Sequence, residues 1–284
     1  MPELARLKPD PIPPVHPVPE YLAEGELRAR YEDMKAVLEV PWVGAVCMAL
    51  AHDGRFYDTL WQGLRPLCLS RPFADACRDL RAWTEGEIMR LDPPPITARL
   101  VEAWYAPREI EAIQTVVEVF SHGNYSYLLL ATIARLLLEG GSLAEGEAPP
   151  RAESPAPANP PFALMEPHHS DAPTRALYED LKTSLGLPFV DTDYRALARW
   201  PTYFALAWMD LEPRLGAPAY DELVGEVHRR AAASAAGLPN PGRLSGEALR
   251  RAAEDGEIPA VVRLFQWLLP GLVTNIAFFR AQLI

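Results

Sequence analysis

Cysteine is scarce in this chain. Three of its 284 residues are cysteine, Cys47, Cys68 and Cys77, and no two form a C-x-x-C pair. An odd count without that spacing argues against both a disulfide framework and structural zinc, so a reducing, cytoplasmic setting is expected. Basic charge is also short, with 27 Lys and Arg against 38 Asp and Glu and a net charge of −11. Nucleic acid is therefore not an expected partner, because its phosphates call for basic side chains. A small anion is not excluded. Salt screens charges beyond about 8 Å, so the field at a site decides rather than the total. The six histidines form neither H-x-x-x-H nor H-E-x-x-H, and no metal is expected. There is no glycine-rich phosphate loop and no G-x-S-x-G elbow, so neither a nucleotide cofactor nor a serine nucleophile is expected. Residues 1–22 lack a basic start followed by an apolar run, which argues against a signal peptide. The apolar runs near Tyr127 to Leu138 and Leu264 to Leu272 are shorter than the roughly 20 residues of a membrane span, so no membrane partner is expected. Alternating runs of Val, Ile and Thr are missing too, which disfavours strands.

The chain does contain a repeat. Residues 28–66 align without a gap on residues 175–213, at a constant offset of 147. Fifteen of the thirty-nine positions are identical, among them Tyr31/Tyr178, Pro41/Pro188 and Trp61/Trp208. The copies part company at one place: the first carries Gly44-Ala45-Val46 where the second carries Asp191-Thr192-Asp193. A scaffold that keeps its core letters and exchanges an apolar trio for an acidic one points to chemistry there.

With 49% apolar residues the chain can bury a large core. Residues 1–20 read as a proline-rich arm, 21–139 as the first helical repeat, 140–173 as a Pro/Ala-rich linker and 174–284 as the second repeat. Apolar spacing of three and four marks helices at Leu27 to Leu38, Ile110 to Leu138 and Tyr220 to Ala236. Ser70, Pro107 and Ser245 are helix-start signals, and Pro41 and Pro188 each separate one helix from the next. The expected fold is all-α, two pseudo-symmetric helical repeats packed together with the active site at their interface.

Two residues hold most of the candidate chemistry. Asp193 follows a proline-marked turn and precedes an apolar run. It reads either as a helix cap, since Asp and Thr oxygens accept first-turn amides, or as a partly desolvated base. Asn124 interrupts an apolar stretch. Gly123-Asn124 reads either as a helix break, since both residues tolerate left-handed backbone, or as an amide that holds a water against a carboxylate. Trp42 lies in the turn just before the divergent trio. Cys47 and most tryptophans read as core. Arg195 and Arg199 read as solvated helix residues or partners of Asp191, with a local positive field as the alternative.

Three stretches resemble the group I 2-haloacid dehalogenases. They are Val40-Pro41-Trp42-Val43, then Gly123-Asn124-Tyr125-Ser126-Tyr127-Leu128-Leu129-Leu130, then Thr192-Asp193-Tyr194-Arg195-Ala196-Leu197-Ala198-Arg199-Trp200-Pro201. The resemblance implies a non-stereospecific, cofactor-independent hydrolase that converts short 2-haloalkanoic acids to 2-hydroxy acids. It makes Asp193 the base that activates a water for direct attack on the halogen-bearing carbon, with inversion and no ester intermediate. It makes Asn124 a holder of that water, and Trp42, Ala45, Tyr127 and Thr192 the residues around the substrate. The substrate carboxylate is expected on amide hydrogens near Thr192. The resemblance also implies a homodimer. Ala45 departs from the family pattern, where an aromatic side chain forms that wall, so a reshaped pocket is expected. A related hydrolase of another activated small acid and a non-catalytic helical binding protein are the alternative readings.

Overall fold

The computed structural model describes residues 4–152, 163–253 and 256–284. Among these it contains twelve α-helices, three short 3-10 turns and no strand. In the first half the helices are α1 (Gly25–Leu38), α2 (Ala45–Leu50), α3 (Gly54–Cys68), α4 (Arg71–Glu87), α5 (Thr97–Glu102) and α6 (Pro107–Leu138). In the second half they are α7 (Ala172–Leu185), α8 (Thr192–Leu197), α9 (Pro201–Leu211), α10 (Pro218–Gly237), α11 (Gly246–Ala252) and α12 (Ile258–Gln282). The pairs α1/α7, α2/α8, α3/α9 and α4/α10 each start 147 residues apart, so the duplication runs beyond the aligned stretch.

The duplication is visible in bonds as well as in helix starts. Trp61 Nε1 donates to Asp33 at 2.8 Å, and its counterpart Trp208 Nε1 donates to Asp180 at 2.7 Å. The Tyr31 hydroxyl donates to the Val18 carbonyl at 2.9 Å, and Tyr178 to the Met165 carbonyl at 2.7 Å. Both tyrosine rings are buried, and a buried hydroxyl requires a partner. The Tyr31 bond pins the N-terminal arm, as does Val18 N to the Met48 carbonyl at 2.9 Å.

Residues 163–171, assigned from sequence to the linker, are the structural counterpart of that arm and are held just as firmly. The preceding stretch is also tied down, by Arg151 to Glu39 at 3.0 Å and by Arg71 N to the Pro149 carbonyl at 2.8 Å. The middle of the expected linker, residues 153–162, lies outside the described residues. α7 begins at Ala172, two residues before the expected start of the second repeat.

The long α6 and α12 pack on each other, and α4, α10 and α11 lie against α6. Both α6 and α12 are apolar on several faces because neighbours surround them. α12 is long and apolar enough to cross a membrane, but 83% of its apolar window is buried inside the protein. The start signals act as expected: Ser70 and Ser245 accept amides of the first turn, and Glu109 caps back to Ala106 N at 2.9 Å.

Candidate active site

The divergent trio opens α8, and its two carboxylates go separate ways. Asp191 is the cap, with its side chain accepting from Thr192 N at 2.6 Å. Asp193 is not a cap. Its Oδ2 accepts a hydrogen bond from Asn124 Nδ2 at 2.5 Å, which joins the second repeat to the middle of α6 in the first. Of the two readings left open for Asp193, the capping one falls to Asp191 instead.

Asn124 reaches Asp193 from a helix that does not break. α6 runs unbroken from Pro107 to Leu138, so the helix-break reading of Gly123-Asn124 is overturned. The glycine instead allows close packing. A Cβ at Gly123 would collide with the Trp42 ring and lie 2.6 Å from Val40 Cγ1. Trp42 packs edge-on against Phe120, with ring centres 4.9 Å apart, and lies 5.7 Å from Tyr127. Tyr127, one turn beyond Asn124, donates its hydroxyl to the Trp42 carbonyl at 2.6 Å. Its ring fills the space a Cβ on Gly44 would need, at 2.8 Å. Gly44 is the repeat counterpart of Asp191. The first copy has room there only for hydrogen, while the second carries a carboxylate.

The environment is buried. Asp193 is 1% exposed and Asn124 2%, and Trp42, Tyr127 and Thr192 are buried as well. Burial raises the Asp193 carboxyl well above the usual range, and the neighbouring Asp191 charge raises it further. The Asn124 bond, the residue's own amide and Arg195 pull the other way. Burial also raises Asp191, opposed by its bond to the Thr192 amide and by Arg195. Two buried carboxylates this close resist ionising together.

Beside this cluster, at the seam of the repeats, lies a cavity of about 380 Å³. Ala45 and Met48 of α2, Phe189, Val190, Arg195 of α8 and Phe265 of α12 are among its walls. Ala45 is therefore the one expected site residue on the cavity, and it is the repeat counterpart of Thr192. Asp193, Asn124, Trp42 and Tyr127 are not among the cavity's lining residues.

Two sequence expectations change here. Arg195 is not the partner of Asp191: its Nη1 donates to Glu166 at 2.7 Å and its Nη2 to Thr192 Oγ1 at 3.3 Å. Arg199 is exposed, in keeping with the solvated reading, and lies over the Trp200 ring, 5.2 Å from its centre. The Thr192 amide, expected to meet a substrate carboxylate, is already paired with Asp191. Glu166 was missed altogether, and nothing in its proline-rich neighbourhood signals a role.

No family model matches the chain. It is 46% identical over 254 residues to an (R)-2-haloacid dehalogenase of Rhizobium sp. (strain NHG3), covering 88% of this chain and 98% of that protein. It is 35% identical over 280 residues to the (R)-2-haloacid dehalogenase of Pseudomonas putida, covering 94% of this chain and 92% of that one. A configuration-inverting 2-haloacid dehalogenase of Alcaligenes xylosoxydans xylosoxydans matches at 28% over 227 residues, 76% of this chain and 74% of that one. A solved D-2-haloacid dehalogenase in complex with L-LA superposes with a TM-score of 0.91 at 34% identity, covering 98% of this chain and 99% of the other.

Proposed function

The chain belongs to the 2-haloacid dehalogenase family and is a hydrolase of carbon–halide bonds, and from that premise we propose that Asp193 is the base and Asn124 the water-holding amide of a direct hydrolytic displacement. The observation that carries this reading is the buried 2.5 Å bond between Asn124 and Asp193 across the repeat seam. A water held beside this bond gives one hydrogen to the free oxygen of the Asp193 carboxylate and the other to the Asn124 carbonyl oxygen. Its lone pair then faces the substrate carbon. The new C–O bond forms as the carbon–halogen bond breaks, and the halide leaves with the bonding pair on the opposite side. The proton stays on Asp193 until solvent removes it. No oxygen of the enzyme enters the product, and the carbon inverts.

The raised carboxyl suits this task, because a stronger base withdraws the proton more readily near neutral pH. The same shift has a visible cost. Asp193 works only when ionised, so kcat/KM falls with decreasing pH, and it does so above the ordinary Asp range of about 3.9. Asp191→Asn removes a neighbouring negative charge and is expected to move this acid limb to lower pH. A pH–rate profile that stays put, or moves up, contradicts the assignment.

The substrate we propose is a short (R)-2-haloalkanoic acid. The sequence resemblance implied action on both enantiomers, whereas two relatives are named for (R) acids. Inversion of (R)-2-chloropropionate gives (S)-lactate, the L form, and L-LA is what the solved relative holds. Chloride release is expected from the (R) enantiomer at least about tenfold faster than from the (S), a difference of about 1.4 kcal/mol in transition-state binding. Equal rates overturn the preference and leave the chemistry intact. No release from either enantiomer overturns the proposal. The homodimer implied by the resemblance and the cytoplasmic location expected from the cysteine usage are kept as part of it, with light scattering to check the first.

A further inference from the structure

Arg195 is placed oddly for a structural cation. It stands on the last turn of the six-residue α8, three residues after Thr192 and two after Asp193, and its side chain is 17% exposed on the cavity wall. Three of its nitrogens have distinct fates. Nη1 is taken by Glu166, and Nη2 spends one hydrogen on Thr192 Oγ1 at 3.3 Å. Nε is buried and, among the described residues, has no hydrogen-bond partner. In a guanidinium, Nε–H and one Nη2 hydrogen share an edge. That edge is the fork whose two parallel donors match the two oxygens of a carboxylate. A buried donor left without an acceptor costs about 1–3 kcal/mol, so an acceptor that reaches Nε is favoured.

The surroundings select the ligand. The cavity's about 380 Å³ suits a small molecule, and the walls at Ala45, Met48, Phe189, Val190 and Phe265 are apolar. The expected alternative receptor, the Thr192 amide, is occupied by Asp191. Glu166 already sets a carboxylate on the guanidinium, from the segment that mirrors the N-terminal arm. We propose that Arg195 is the receptor for the carboxylate of a short apolar monocarboxylic acid, and that Glu166 is an internal carboxylate competing for the same guanidinium. This rests on the reading of the previous subsection, since it names how that substrate is held. It places the acid group beside Thr192, next in sequence to the proposed base. It also explains how an acidic protein gathers an anion. Arg175 and Lys182 also line the cavity, but Arg175 donates to the Ser170 carbonyl and Lys182 pairs with Glu179, which leaves Arg195 as the cation with a buried donor to spare.

The test uses propionate, which cannot be dehalogenated, and neutral propionamide as the control, with binding measured by calorimetry on the full-length protein. Arg195→Gln is expected to weaken propionate about 10- to 100-fold, the value of a charge-assisted fork, with little change for propionamide. Arg195→Lys keeps the charge and loses the fork, so it falls between. Glu166→Gln removes the competitor and is expected to tighten propionate about threefold or more. If the Arg195–Glu166 pair is only a tie between elements, both changes weaken binding together and lower Tm alike, and the proposal fails. It also fails if Arg195→Gln binds propionate within about twofold of wild type, or if wild type shows no saturable propionate binding. Propionate binding that depends on Arg195 in a protein that releases no halide would preserve the receptor and sink the catalytic reading. Halide release with a KM indifferent to Arg195→Gln would do the reverse.

Discussion

Asp193→Asn is expected to reduce halide release about 10⁴-fold while making the fold more stable at neutral pH. The first effect follows from losing the only proposed acceptor for the water's proton, at the upper end of what a positioned base contributes. The second follows from the direction of the Asp193 shift. Its folded carboxyl is raised, chiefly by burial and then by Asp191. The folded state therefore keeps its proton to higher pH than the unfolded chain, whose Asp titrates near 3.9. Stability is lost as pH rises from that value through the folded titration, and the ionised form at neutral pH is the unfavourable one. A neutral amide removes the penalty, and its oxygen still accepts from Asn124 Nδ2. Thermal melts should show a higher Tm than wild type at about pH 7.5, with the gap closing as pH falls toward the ordinary Asp range. A variant that is inactive and also less stable would mean that Asp193 is held for structure. One that is active would remove it from the chemistry.

Asn124→Ala is expected to cut kcat about 10²- to 10³-fold with a smaller change in KM. The range is that of losing one preorganised hydrogen-bonding group at a reacting centre. Removal of the amide also strips the bond that lowers the Asp193 carboxyl, so the acid limb of the pH profile should move up. The two readouts together separate roles. A fall in kcat with a displaced limb places Asn124 on the water and the base. A rise in KM alone would place it on the substrate. Unchanged helical content is the control, because the position sits in the buried middle of α6 and truncation there also leaves a small cavity.

The repeat made much of this legible before any coordinates. Conserved letters such as Tyr31/Tyr178 and Trp61/Trp208 are those whose bonds are duplicated, so their identity carried the architecture. The trio at Asp191 stood out because the same turn is made in the first copy by Gly-Ala-Val. Where reading failed, the cause was distant in sequence. Gly123 looks like a helix breaker by local propensity. Tertiary packing against Trp42 and Val40, from another element, overrides that weak preference. The second arm at residues 163–171 was hidden because its tie to Tyr178 uses a backbone carbonyl, which leaves no mark on residue type. Arg195 met the same obstacle: its partner Glu166 comes from the far side of α7, at no helical spacing.

The measurement that bears most directly on Asp193 as a base is a single turnover with enzyme in excess over (R)-2-chloropropionate in ¹⁸O-water. Direct attack by an activated water puts ¹⁸O into the lactate and leaves the Asp193 carboxylate unlabelled. Lactate carrying ¹⁶O, with ¹⁸O found in Asp193, would mean that the carboxylate attacks the carbon itself, and would contradict the account.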